Sequence, residues 1–366
     1  MTTRNSGFVL LALVLLMPLA IPLASAQTNQ PGMEELIREG NLYYARGDCQ
    51  LAQYIFQEAL KLDADNIDAM LGRGRALVCQ GAVNLGIEEY RRVIALDSNN
   101  VTAHIRLATA YRNEFLLDPT RNANSLEQAL SAVRTAEQID NSDPRVFNVK
   151  GVLLYQLGDY QEARNALEQA VSLAPAAALP DSDTSRIQAN LGRAYRELGE
   201  ASLALTSFRR AVSLDPTNYE ARNYLGETHF RAGNCEDAIF ELTQAANLAP
   251  DSLSSVSNLA IVLFECDQTE AAVPRIRQAL ELDSVSIPAL YTYLARVYIS
   301  QGRFNEAVQE AQKGALLPPT NAEALYWLGR AYQEAGNAQS AREAYQRALE
   351  LEPDQPESRQ ALNTLP

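Results

Sequence analysis

NAEALYWLGRAYQEAGNAQSAREAYQRALELEPDQ, residues 321–355, decides how the chain is read. Within it Leu325, Leu328, Gly329 and Tyr332 recur at three- and four-residue spacings, which places them on one face of a helix. Gly336 breaks that helix. Ala341, Tyr345, Ala348 and Leu351 then form the inner face of a second helix, and Pro353 stops it. Two amphipathic helices joined by a short turn cannot bury both apolar stripes by themselves, so the stretch needs neighbours.

The rest of the chain supplies them. The pattern returns with a period of about 34 residues. Nine units begin at Met33, Ile67, Val101, Pro144, Ser185, Tyr219, Leu253, Pro288 and Ala322. Each first helix carries one small residue, Gly192 and Gly329 among them, where two helices must approach closely. A second small residue, such as Ala204 or Ala341, faces it from the second helix. Two segments depart from the period: Phe115 to Gln128 lengthens the turn inside the third unit, and Ala178 to Thr184 is inserted between the fourth and fifth. Both read as loops.

The order of large residue, Leu-Gly, Tyr, Gly, Ala, Phe or Tyr, Ala and Pro resembles the tetratricopeptide repeat family over nearly all of the chain after Met33. That resemblance implies an all-α, right-handed superhelical α-solenoid of stacked helix-turn-helix units, each core completed by the next unit. It also implies a non-enzymatic protein-protein interaction scaffold. The expected organisation is a signal peptide at 1–26, a flexible leader at 27–32, the nine-unit array at 33–355, and a C-terminal solvating helix at 356–366.

The expectation for the N-terminus rests on Arg4, the uncharged run Phe8 to Leu23, and the small residues Ala24-Ser25-Ala26, with cleavage after Ala26. The run is short for a membrane span, and Pro18 and Pro22 interrupt it. An exported protein follows, periplasmic or extracellular, in a bacterial envelope, with no membrane insertion after cleavage. The formal net charge of −14, with 45 acidic against 31 basic residues, opposes binding to nucleic acid or anionic lipid.

Residues 43–49, YYARGDC, contain three competing signals: an adhesion tripeptide, a metal ligand pair and a nucleophilic cysteine. Register absorbs the first, because Tyr43 is a packing residue, Gly47 the turn glycine and Asp48 the residue that can cap the next helix. A zinc site would need more ligands than His104, His229 and unclustered cysteines provide. Neither histidine stands in register with a cysteine. Gly72-Arg73-Gly74 lies inside a helix and lacks the strand of a nucleotide fingerprint. The acidic pairs Glu34-Glu35 and Glu88-Glu89 are expected on solvated helix faces. No metal, cofactor or catalytic residue is implied.

An exported chain with four cysteines favours pairing. Cys49 and Cys235 begin second helices, while Cys79 and Cys266 end the first helices of the following units. In the tetratricopeptide arrangement those ends lie side by side, which implies Cys49 with Cys79 and Cys235 with Cys266.

The same resemblance implies that certain first-helix positions line a concave groove. Here they include Arg112 and Asn113; Arg145, Asn148, Tyr155 and Gln156; Arg186, Arg193 and Arg196; and Asn223, Phe230 and Arg231. Glu197, Glu220 and Glu227 stand among them. An acidic protein thus concentrates arginine on one surface, suited to a protein or peptide partner that is acidic or ends in a carboxylate. The lysines of the family's carboxylate-clamp pattern are absent. An acidic small ligand or glycan is the alternative occupant.

Overall fold

The computed structural model describes residues 32–317 and 322–365; the signal peptide expected at 1–26 and all but the last residue of the leader expected at 27–32 lie outside them. The described residues form nineteen α-helices and no β-strand. Nine antiparallel pairs follow in order: α1 (Met33–Ala45) with α2 (Cys49–Leu62), α3 (Ile67–Cys79) with α4 (Val83–Leu96), and α5 (Val101–Leu117) with α6 (Ser125–Ile139). Next come α7 (Pro144–Gln156) with α8 (Tyr160–Leu173), α9 (Asp181–Glu197) with α10 (Ala201–Leu214), and α11 (Tyr219–Arg231) with α12 (Cys235–Leu248). The last three are α13 (Leu253–Glu265) with α14 (Thr269–Leu282), α15 (Ala289–Ser300) with α16 (Phe304–Leu316), and α17 (Ala322–Glu334) with α18 (Ala338–Leu351). A short α19 (Pro356–Thr364) packs on α18.

Local chemistry sets the helix boundaries. Asn66, Asn100 and Asn218 cap α3, α5 and α11, each side chain accepting a bond from the backbone N–H three residues on. Between the helices of a pair the chain reverses through a left-handed residue, as at Gly47 with φ 83°. Asp267, with φ 60°, takes that role in the seventh unit, a conformation that aspartate tolerates better than most residues. Asp48 does occupy the N-cap of α2, but its side chain makes no capping bond, so the expected cap is not formed.

Each pair closes around a small-to-large contact. A Cβ added at Gly192 would lie 2.6 Å from the ring of Phe208, and one at Gly329 would lie 2.5 Å from that of Tyr345. Glycine therefore brings the first helix down onto an aromatic ring of the second, and Phe208 and Tyr345 are wholly buried as a result. Successive first helices also touch one another, from α1 on α3 through to α15 on α17. No two second helices among the described residues make comparable contact. That asymmetry bends the stack, with first helices on its inner, concave face and second helices outside.

Three expectations need correction. Phe115, Leu116 and Leu117 continue α5 instead of opening a loop, because Phe115 packs on the core of the second to fourth units and the first breaker is Asp118-Pro119, while Ser125 to Gln128 already form the first turn of α6 with Leu126 in that core. Residues Asp181 to Thr184 likewise form the first turn of α9, where Asp181 and Asp183 favour the positive helix end. Glu89 is buried, not solvated: its carboxylate accepts a 2.6 Å bond from Arg73 and ties α4 to α3.

Both cysteine pairs are at disulfide distance, Cys49 with Cys79 and Cys235 with Cys266, with Cα separations of 6.0 and 5.9 Å. Each joins the start of a second helix to the end of the next unit's first helix. Beside the first, the Gln80 amide donates to the Cys49 carbonyl at 3.1 Å. Among the described residues no helix is long and apolar enough to cross a membrane.

Candidate functional site: an arginine-lined cleft on the inner face

Between α5, α7, α9 and α11 the inner face forms a cleft of about 430 Å³. Five arginines line it: Arg106 and Arg112 from α5, Arg145 from α7, and Arg186 and Arg193 from α9. Two carboxylates, Asp183 and Glu220, do so, and Asp143 pairs with Arg145 beside them, leaving a local excess of two positive charges. The chain as a whole carries −14, so this concentration opposes the general trend.

The five are not equivalent. Arg145 donates to Asp143 at 2.6 Å, and that hydrogen-bonded pair holds its pKa above the ordinary arginine value. Arg186 pairs with Asp183 one turn earlier. Arg112 and Arg193 have no carboxylate within ion-pair distance, and each keeps a buried Nε–H without an acceptor. Burial pushes the Arg112 guanidinium pKa down, and the neighbouring charge of Arg193 pushes it further. Arg106 is depressed in the same way, by burial first and then by Arg75.

Aromatic rings fix the orientation of Arg193. Its guanidinium lies 4.4 Å from the Tyr155 ring centre and 5.3 Å from that of Tyr224. Stacking covers the faces of the group and leaves its N–H edge for an acceptor, without the entropy loss of ordering a free side chain on binding. The Tyr155 hydroxyl is held in turn by Glu197 at 3.1 Å. Asn148 accepts from the Asn190 amide at 2.9 Å on the same surface.

Of the residues expected to line a groove, the structure gathers Arg112, Arg145, Asn148, Arg186 and Arg193 into this cleft. Tyr155 supports it from behind Arg193. Arg196 is spent within the fold: it bonds Glu227 at 2.7 Å and Glu197 at 3.3 Å, and these carboxylates outweigh burial to raise its pKa. Asn223 is buried and accepts from the Asn258 amide at 3.2 Å, Phe230 packs against the C-terminal core, and Arg231 is exposed at the end of α11. Arg106 was not among the expected residues. It lies one helical turn from Thr102 and from Thr109, both of which line the cleft, so plotting α5 as a helix would have found it.

Farther along, the inner face repeats the stacking theme. Arg296 of α15 sits between Phe264, at 4.6 Å, and Trp327, at 4.9 Å. Beside Trp327 a second opening of about 850 Å³ reaches the turn before α19.

Paired helices stacked at a fixed period, with the first helices on the inner face, define a helical-repeat array. Residues 106–363 match the family model described as the Cilia and flagella-associated protein 70 C-terminal domain, and residues 37–114 match a tetratricopeptide repeat model. The chain belongs to the tetratricopeptide repeat family. It is 25% identical over 129 residues to TPR repeat-containing protein YpiA of Bacillus subtilis (strain 168), a match covering 35% of this chain and 30% of that protein. The solved APC/C hetero-tetramer Cut9-Hcn1 is similar over 90% of this chain and 75% of its own, with TM-score 0.59 and 14% identity. Pseudomonas aeruginosa pilF is similar over 60% of this chain and 96% of its own, with TM-score 0.52 and 20% identity. At these identities the structural likeness is one of fold. Proteins with this fold generally mediate protein-protein interaction and are generally non-catalytic.

Proposed function

We propose that this chain is an exported interaction scaffold that holds an acidic segment of a partner protein along its inner face. The observation that carries the reading is the pair of cleft arginines, Arg112 and Arg193, left without carboxylates in a chain that has an acidic excess. Guanidinium groups short of acceptors complement carboxylates, and a local excess of positive charge in an otherwise acidic chain steers an acidic segment to the cleft. Export is supported by the apolar leader at Phe8 to Leu23 and by two disulfides, which persist in oxidising compartments. On this reading α19 closes the last unit: Ala361 lies in the cluster with Ala341 and Tyr345, and the outer side of the helix meets solvent. An acidic small ligand or glycan is the second reading, favoured by a cleft volume in the range of small-molecule sites.

The test compares R112A/R145A/R193A with a control, R210A/R347A, which removes exposed arginines of α10 and α18. Partner capture from envelope extract followed by titration should show the cleft variant weakened about tenfold to a hundredfold, or about 1.4–2.8 kcal/mol, with a shallower salt dependence. The control should bind as the parent does. Equal retention of partner by both variants would move the interaction off the inner face.

A further inference from the structure

Arg112 and Arg193 come from the third and fifth units, yet they line one cleft, and neither has a carboxylate within ion-pair distance. Like charges in a partly desolvated site cost free energy unless an anion lies between them. Glu220 lines the same cleft and its charge reaches Arg112, but it forms no ion pair there. Arg106 and Arg145 line the same cleft, from α5 and α7. With Asp143 already paired to Arg145, the five arginines face three carboxylates, an excess of two, so a single carboxylate would leave one positive charge unmet.

We propose that this cleft is a binding site for a phosphoryl-type dianion, held between Arg112 and Arg193 with Arg106 and Arg145 beside it. The inference rests on the inner-face reading above and narrows it, by naming the acidic group. A phosphoryl group brings about −1.5 to −2 charge and three acceptor oxygens in one compact unit. Those oxygens suit several guanidinium edges at once, which a planar carboxylate does not. Tyr155 and Tyr224 hold the Arg193 plane, so its edge is in place before the anion arrives. The group can come from a phosphorylated side chain on the partner segment or from a free small molecule, and the chemistry of recognition is the same.

The test is calorimetric titration of the purified chain at constant ionic strength. The probes are pyrophosphate, a phosphoserine peptide, its unphosphorylated twin and a glutamate-rich peptide. The expected result is saturable binding of one pyrophosphate or one phosphoserine peptide per chain, about tenfold or more tighter than the unphosphorylated twin. R112Q/R193Q should lose about tenfold or more, R112K/R193K should fall in between because it keeps charge without the fork, and R210A should be unchanged. Circular dichroism of each variant checks that the helices persist. Binding of pyrophosphate alone assigns the site to a free anion, and binding of the phosphopeptide assigns it to a partner side chain; either supports the dianion site. Phosphate-bearing probes that bind no better than the unphosphorylated twin, or equally well to R112Q/R193Q, overturn it. If the glutamate-rich peptide still binds through the same arginines in that case, the inner-face reading stands and only the phosphoryl assignment falls.

Discussion

Replacing Phe208 with alanine should destabilise the array by about 3–5 kcal/mol, the range for emptying a wholly buried aromatic site. Phe208 fills the space that Gly192 leaves on α9, and its ring stacks on Tyr224 of the next unit at 5.6 Å. Glycine cannot move in to refill the cavity, and Tyr224 loses the surface that positions it beneath Arg193 and Arg196. Because repeats gain stability mainly from nearest neighbours, the loss should be local. Hydrogen exchange should show faster opening of the fifth and sixth units while the first two and the last keep their protection. A uniform rise in exchange over all nine units would mean that the array unfolds as one cooperative block.

Breaking the cross-links should have an effect of similar size. The sequence separations of 30 and 31 residues correspond to about 3.5–4 kcal/mol for each bridge by the chain-entropy argument, an upper value for one bridge. Denaturant unfolding with and without reductant measures the sum. Peptide mapping without reductant should recover Cys49 with Cys79 and Cys235 with Cys266. A fragment joining Cys49 to Cys235 would contradict the stacking of neighbouring units. The variant C235A/C266A should act closest to the binding surface, since it loosens the sixth unit, which contributes Tyr224 to the cleft.

Much of the fold was legible because a solenoid repeats its chemistry. The spacing of Leu325, Leu328, Gly329 and Tyr332 recurs with the same small residues and turn glycines, so any one unit can be read from the others. The cysteine pairing followed from the repeat arrangement and not from the cysteines themselves. What the period could not give is where the repeat is broken by packing. Phe115 extends α5 because it finds a core to bury in, one shared by the second to fourth units. Glu89 looked like a surface acid until the fold placed Arg73 opposite it.

The candidate site was legible only as a surface. Register named the inner-face arginines, but ion pairing is decided by which carboxylate a curved stack brings near, across 31 residues in the case of Arg196 and Glu227. Arg196 is thereby committed within the fold, while Arg112 and Arg193, of the same residue type and at comparable positions, are left with unused donors. Arg106 stands at none of the groove positions that the repeat implies, and only its place one turn from Thr102 and Thr109 brings it to the cleft.

The central claim, that the inner face of the middle units is where a partner is held, is tested most directly by site-specific photocrosslinking. A photoreactive residue placed at Val152, which lines the cleft, should capture a discrete partner species, and high salt should abolish the capture. The same residue at Arg210 or Arg347, on the exposed surfaces of α10 and α18, should capture none. Crosslinks from position 210 or 347 with none from position 152 would contradict the account.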